Sequence, residues 1–246
     1  HRQRLFDDGD MTVVLAIDRG LIVWEDLFFD VIRRQLKAYR SLFGGLPHVN
    51  YLIALAAADE DDGEAFNSSF NQSIVNDGVD AKTIIWANVL GHELFHFWNG
   101  TGLLVPQNHE EVEWFTEGFT GYYANLTLVR TAIVDEALFF KKLERHFGRY
   151  HIARRMFPGE KTSLVEAGKD KGRNWLLIYG GGAAIALCLD IEIRSRTRNQ
   201  RSLDDVMVRM VDMYGRTGVE FEYEDIRRIV SQVGGTDLAD FLARYV

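Results

Sequence analysis

The chemistry of this chain begins with His92, Glu93 and His96, which form an H-E-x-x-H pattern within GHELFHFWNG at residues 91–100. Residues four apart on an α-helix lie about 40° apart around its axis, so both imidazoles point the same way. Their neutral nitrogens can bind one Zn²⁺ ion from one face of the helix. Glu93 is rotated by about 100° from His92 and can reach a metal-bound water without ligating the metal. The pattern therefore predicts a helical metal centre.

Glu117 is the candidate third ligand, and it lies 21 residues after His96 in the aromatic stretch WFTEGFTGYY, residues 114–123. An unpaired carboxylate among aromatic rings is costly, and a metal ion would remove that cost. Two histidines and one glutamate leave a fourth position open for water, which is typical of catalytic zinc. Glu117 taken alone fits a helix-surface carboxylate better than a ligand, and only its combination with the H-E-x-x-H pattern favours a ligand.

Hydrolysis at such a centre needs a base and a donor to the developing oxyanion. Glu93 is the candidate base, which takes a proton from the metal-bound water and passes it to the leaving amine. Tyr179 is the candidate oxyanion donor, and we expect it at the start of a helix that begins with the glycines 180–182. A tyrosine packed in the core fits that position equally well. Asn99 and Thr120 flank the metal motifs and are candidates to hydrogen-bond the ligands or to cap helices.

The hydrophobic periodicity predicts strands first and helices later, which indicates an α+β fold with a small sheet lobe and a helical lobe that join near residues 100–106. We expect one catalytic domain over 1–246, with the sheet lobe at about 1–105 and the helical lobe at about 106–246. The predicted strands are 11–17, 49–57 and a polar edge strand at 65–75. The predicted helices are 23–43, 82–99, 113–131, 135–153, 180–197, 203–214, 222–233 and 236–245.

Three stretches resemble the gluzincin metallopeptidases, and most of all the glycyl aminopeptidase family: HELFHFWN at 92–99, WFTEGFTGYY at 114–123, and the segment 179–214 that begins YGGGAAIALCLD. The resemblance covers about residues 80–246. It implies a two-lobed thermolysin-like fold, one zinc ion per chain and hydrolysis of peptides by an aminopeptidase. It also implies that His92, His96 and Glu117 bind the metal, that Glu93 is the general base and that Tyr179 donates to the oxyanion.

The chain departs from that family where an edge strand often carries Gly-Gly-x-Glu-His, whose glutamate holds the free amino group of the substrate. Residues 63–73 read GEAFNSSFNQS here, with no Glu-His pair, although Glu64 is a possible substitute. An endopeptidase, or a catalytically weak peptide-binding module of the same fold, therefore stays an alternative. The polar strand could pair with a substrate, with Asn67, Ser68 and Ser69 lining the cleft, or be an ordinary solvated edge. The three glycines at 180–182 are expected to loosen the loop that carries Tyr179.

Composition restricts the remaining function classes. The 28 basic and 36 acidic residues give a net charge of −8, which argues against nucleic acid as a partner. The longest apolar stretches, 49–58 and 183–189, are shorter than the roughly 20 residues of a membrane helix, so we expect no membrane partner. The single cysteine, Cys188, excludes an internal disulfide and is expected to be buried on a helix face. The abrupt start suggests a piece of a longer chain, and the compartment (periplasmic, exported or cytoplasmic) and the oligomeric state stay open.

Overall fold

The computed structural model describes residues 1–45, 48–156, 161–235 and 237–246. The chain divides into two compact units, one formed by His1–Gly102 with Tyr123–Phe139 and the other by Leu103–Tyr122 with Phe140–Val246. A five-stranded sheet comes first and helices follow, which confirms the predicted α+β class. Residues 123–139 belong to the unit that contains the sheet, whereas the sequence placed them in the helical lobe. That 1–246 is a single catalytic domain stays a prediction.

The sheet has the strand order β1-β2-β3-β5-β4. Strands β2 and β3 are parallel, as are β3 and β5, while β1 and β4 pair with their neighbours in antiparallel fashion. Side chains along β2 are nearly all apolar, but their burial alternates, so that every second side chain is buried against the core. The strands are β1 Arg2–Asp8, β2 Met11–Ile17, β3 Val49–Ala58, β4 Asp62–Phe66 and β5 Ser69–Val75.

The prediction of one polar edge strand at 65–75 is wrong, because the chain turns after Phe66 and makes two strands of this stretch. The edge of the sheet is β4, and β5 lies inside, between β3 and β4. Although β5 looks polar in sequence, Phe70, Gln72 and Ile74 are buried on one face. The Gln72 side chain donates to the Trp86 carbonyl at 2.9 Å, which satisfies a buried amide group.

In the first unit, the side chains of helix α1, Glu25–Phe43, hold helix α2, Thr83–Phe95. The Gln35 amide donates to the Ala87 carbonyl at 3.1 Å, and the Tyr39 hydroxyl donates to the Gly91 carbonyl at 3.0 Å. Gly91 allows this approach, since a Cβ atom there would lie 2.4 Å from the Gln35 Oε1 atom. The helix that carries H-E-x-x-H is therefore fixed by buried polar contacts at Ala87 and Gly91, just before His92.

The second unit is mainly helical, and its longest helix, α7, begins at Lys171 rather than at Gly180. The Asp170 side chain caps it by accepting from the Arg173 N–H at 3.1 Å. Tyr179 therefore lies inside a helix, and its expected place at a helix start is wrong. In the part of the chain that the structure describes, the other α-helices are α3 His109–Thr116, α4 Gly118–Arg130, α5 Glu136–Met156, α6 Leu164–Ala167, α8 Leu203–Met210, α9 Tyr223–Gly234 and α10 Ala239–Tyr245.

The three glycines of α7 let neighbouring helices approach closely. A Cβ atom at Gly182 would lie 2.1 Å from the Trp114 carbonyl oxygen, and one at Gly118 would lie 2.3 Å from the Gly182 Cα. A Cβ atom at Gly180 would lie 2.7 Å from the His146 carbonyl oxygen. All three glycines are buried in regular helix. They tighten the packing around Tyr179, so the expectation of a loosened loop is wrong.

The structure bears on two expectations, the absence of a membrane-length apolar helix and the burial of Cys188. The helical stretch Leu164–Arg196 is long and apolar enough to cross a membrane by length and composition, which the reading of 183–189 alone missed. Over half of the most apolar part of this stretch is buried within the protein, as in the core helices of soluble proteins. The stretch is therefore weak evidence for a membrane partner. Cys188 is exposed, so its predicted burial is wrong; it lies on the open side of α7.

The close packing of α7 gives a first testable prediction. Gly182→Ala should lower the free energy of unfolding by about 1–3 kcal/mol, because the new methyl group overlaps the Trp114 carbonyl. Gly148→Ala in α5, where a Cβ atom meets nothing within 4 Å, should raise it by about 0.5–1 kcal/mol through helix propensity. Urea unfolding of both variants measures the difference, and equal effects of the two substitutions would contradict a packing role for Gly182.

Candidate metal centre

His92 and His96 come together at the end of α2, where His92 lies in the last turn and His96 caps the helix. Their Nε2 atoms are 3.0 Å apart and their rings are nearly perpendicular. Two nitrogens bound to one zinc ion at about 2.0–2.1 Å would lie about 3.3 Å apart in tetrahedral geometry. The His96 Nδ1 atom lies 3.0 Å from the Asn99 carbonyl oxygen. Because a carbonyl only accepts, Nδ1 carries the proton and Nε2 keeps a lone pair for a metal.

Glu117 completes the set of donors. It caps the end of α3, α4 begins at the next residue, and its side chain is buried. The ligand atoms of His92, His96 and Glu117 all lie within 4.8 Å of one another. Two imidazoles and one carboxylate suit zinc, so the residues present fit the ion that the sequence predicts. The structure thus brings the three predicted ligands together, while zinc itself stays a prediction.

Lys171 holds the Glu117 carboxylate, and the sequence analysis did not identify it. Its Nζ atom lies 2.5 Å from Glu117 Oε1 and 2.8 Å from Glu113 Oε2. Burial by itself lowers the pKa of Lys171, but the charges and hydrogen bonds of the two glutamates outweigh it and raise that pKa. The lysine is therefore an ammonium between two carboxylates. Glu113, four residues before Glu117, was recognisable from helical spacing, whereas nothing in the sequence linked Lys171 to this site.

Glu93 is buried in the first unit, at 7% exposure, against the edge strand β4. A Cβ atom at Gly63 of β4 would lie 2.6 Å from the Glu93 Cγ atom, so only glycine leaves room for this side chain. The pKa of Tyr51 lies well above its usual value, because the ring is buried and because the negative charge of Glu93 disfavours a phenolate. Tyr51 and Gly63 thus define the surroundings of the candidate base.

The residues expected to bind substrate lie on or beside β4. Side chains alternate along a strand, so Glu64 points to the sheet face opposite that of Gly63, which contacts Glu93. Glu64 is exposed, and the structure does not place it beside Glu93. Asn67 and Ser68 form the exposed turn between β4 and β5, and Ser69 begins β5. Their part in substrate binding stays a prediction.

Tyr179 lies on α7 two turns after Lys171, on the same side of the helix. The Lys171 Nζ atom is 5.9 Å from the centre of the Tyr179 ring, which is half-buried. Because the same ammonium binds Glu117, the phenol and the carboxylate share one neighbour in the second unit. This gives Tyr179 a fixed place near the carboxylate ligand, and its role as oxyanion donor stays a prediction.

A sequence profile of the M61 glycyl aminopeptidase family matches residues 86–181, which confirms the resemblance drawn from the motifs. That range includes the H-E-x-x-H pattern, Glu117, Lys171 and Tyr179. A search of curated proteins gave no match.

Solved structures with a similar fold include an aminopeptidase N family protein and M1 zinc metallopeptidases. An aminopeptidase N family protein from Idiomarina loihiensis matches over the whole chain with a TM-score of 0.77 and 22% identity. An M1 zinc metallopeptidase from Deinococcus radiodurans matches with a TM-score of 0.61 and 15% identity. A variant M1 zinc metallopeptidase from the same organism, bound to a Tyr-Ser-Ala substrate, matches with a TM-score of 0.64 and 16% identity. The chain covers 46%, 51% and 51% of these proteins, about half of their length, and the likeness confirms the thermolysin-like fold.

The donor set gives a second prediction. His96→Ala should lose stoichiometric zinc, because only two of the three donors remain to bind the ion. Metal content after dialysis, measured by atomic emission, reports the ratio of zinc to chain. His109→Ala is the matched control, since His109 is exposed at the first turn of α3 and should leave the zinc content unchanged. Full zinc occupancy in His96→Ala would rule out this centre.

Proposed function

Because residues 86–181 match the M61 glycyl aminopeptidase family, we propose that this chain is the catalytic part of a zinc-dependent peptidase, and that it acts as an aminopeptidase. The observation that carries the proposal is the meeting of His92, His96 and Glu117 ligand atoms within 4.8 Å. A cluster of three protein ligands leaves a position for water and substrate, as in catalytic rather than structural zinc sites. The peptide is the substrate class, and the proposal involves neither nucleic acid nor a membrane.

A zinc ion held by these residues would supply a Lewis acid and a water molecule whose pKa is near 7. Glu93 is the proton carrier of the reaction. It follows His92 directly and is buried, so its carboxylate has few competing water molecules. It accepts a proton from the attacking water and delivers that proton to the leaving amine. The Tyr51 phenol, kept protonated by burial and by Glu93, stays neutral during this transfer.

Tyr179 is proposed to donate a hydrogen bond from its phenolic O–H to the oxyanion that forms on the scissile carbonyl. A preorganised donor at this position acts only as charge develops, so it stabilises the transition state rather than the bound peptide. The burial of the glycines that follow Tyr179 supports the proposal, because a tightly packed helix fixes the phenol in place. The Lys171 ammonium, 5.9 Å from the ring centre, adds positive charge on the same side.

The substrate is proposed to bind in extended form along β4, the edge of the sheet, by strand addition. Asn67, Ser68 and Ser69 would then flank one end of the bound peptide. A strand at a sheet edge offers backbone N–H and C=O groups that pair with any extended chain, so affinity need not depend on sequence. The Tyr-Ser-Ala substrate of one M1 metallopeptidase with this fold is in keeping with a peptide ligand.

An endopeptidase is the second candidate function, and one observation favours it. The two β4 side positions on the face that meets Glu93 are Gly63 and Ala65, neither of which carries a charge. Glu64 points to the other face, so β4 presents no carboxylate there to hold a free amino group. Matched peptides with free and acetylated amino termini separate the two candidates. Strong preference for the free terminus supports the aminopeptidase, equal cleavage supports the endopeptidase, and cleavage of neither supports a binding module without turnover.

Replacement of the base gives a third prediction. Glu93→Gln should keep one zinc per chain and abolish peptide turnover, because the amide cannot accept the proton of the water. Metal analysis and a peptide-hydrolysis assay measure the two properties on the same sample. Glu60→Gln, at an exposed position, is the matched control and should behave as the unsubstituted protein. Normal turnover in Glu93→Gln would sink the proposed mechanism.

The oxyanion donor gives a fourth prediction. Tyr179→Phe should lower kcat by about 10²–10³-fold with little change in KM, since the lost hydrogen bond forms in the transition state. Tyr245→Phe removes an exposed phenol from α10 and serves as the control. Steady-state kinetics on one peptide compares the variants, and an unchanged kcat in Tyr179→Phe would remove that residue from the catalytic set.

A further inference from the structure

We propose that Lys171 is a positioning residue that restricts Glu117 to a single metal-binding oxygen and so keeps a coordination position open. This inference rests on the proposed metal centre and goes further, because it assigns a role to a residue outside the set of ligands. It is carried by the contacts of Lys171, Glu113 and Glu117, all of which lie in the second unit.

One oxygen of the Glu117 carboxylate is occupied by a hydrogen bond from Lys171. The Lys171 Nζ atom lies 2.5 Å from Glu117 Oε1, which is a short, charge-assisted hydrogen bond. A carboxylate can bind a cation through one oxygen or through both. A cation that shared Oε1 would approach the ammonium closely and be repelled by it. A metal bound by Glu117 would therefore be directed to Oε2.

Lys171 is itself held in place by its own contacts. Glu113 Oε2, one helical turn before Glu117 on α3, accepts from the same Nζ atom at 2.8 Å. A Cβ atom at Gly168 would lie 1.8 Å from the Glu110 carbonyl oxygen, so the segment before α7 touches the backbone of α3. The cap of Asp170 then starts α7 at Lys171. The lysine thus leaves a fixed backbone and reaches two acceptors on one neighbouring helix.

The contact between Lys171 and Glu117 affects the coordination number of an ion bound at this centre. Catalytic zinc sites combine three protein ligands with one position for water or substrate. A glutamate that bound through both oxygens would fill a further position and raise the coordination number. Lys171 prevents this by keeping Oε1 engaged. A purely electrostatic role predicts a different result, because removal of a nearby positive charge should only strengthen cation binding and leave coordination unchanged.

The test replaces zinc by Co²⁺, whose visible absorption weakens as its coordination number rises from four. Lys171→Met keeps the length and apolar stem of the side chain but removes the charge and the donor. We expect the Co²⁺ spectrum of this variant to lose intensity and kcat to fall about 10–100-fold. Lys171→Arg, which can donate to both glutamates, should retain the original spectrum. Lys169→Met is the matched control at an exposed neighbouring lysine.

Each result decides the matter. An unaltered Co²⁺ spectrum in a folded Lys171→Met protein overturns the inference, as does a variant that only binds metal more tightly. Glu113→Gln supplies a second test, because it weakens one of the two contacts of Lys171 without deleting the lysine, and an intermediate spectrum is expected. If the unsubstituted chain bound no Co²⁺, the proposed function would fail instead, so the two failures are distinguishable.

Discussion

The free-energy cost of burying ionised groups is the constraint on which the rest of this structure depends. Glu93 and Glu117 are both largely shielded from water, and an isolated carboxylate would not stay charged in such places. For Glu117, the Lys171 ammonium offsets this cost. The Lys171 side chain is 40% exposed, so its loss would leave the more deeply buried Glu117 carboxylate without this cation. Helices α3 and α7 of the second unit therefore serve to keep Glu117 and Lys171 together.

Close backbone approach supplies that support in the second unit. Trp114 on α3 and Gly118 on α4 lie against Gly182 at distances that exclude any side chain there. Glu117 lies between those two contact points in the chain, so its backbone is fixed on both sides. The same helix α7 brings Lys171 to the carboxylate. Packing without side chains thus places a charged group more firmly than a loop could, since loops depend on fewer contacts.

The sequence predicted the parts of the site that follow a local rule. Helical spacing was enough to pair His92 with His96, and the motif around Glu117 supplied the third donor that the structure brings to them. The features that the sequence did not predict depend on contacts between residues that are distant along the chain. Lys171 is 54 residues from Glu117 along the chain, and no periodicity connects them. The strand β5 was misread because its polar residue Gln72 is buried and satisfied by a backbone carbonyl, a contact that composition does not reveal.

Glycines 180–182 also misled the sequence analysis, because three in a row suggest the start of a helix after a loosened loop, whereas here they lie within α7. One consequence of that uninterrupted helix concerns Lys171 and Tyr179 together. They lie about two turns apart on one continuous helix, so neither residue can shift along the helix axis or rotate around it unless the other moves as well. The fold thereby couples the position of the residue that binds the Glu117 carboxylate to the position of the proposed oxyanion donor. A compound that displaced the first turns of α7 would therefore move Lys171 and Tyr179 together.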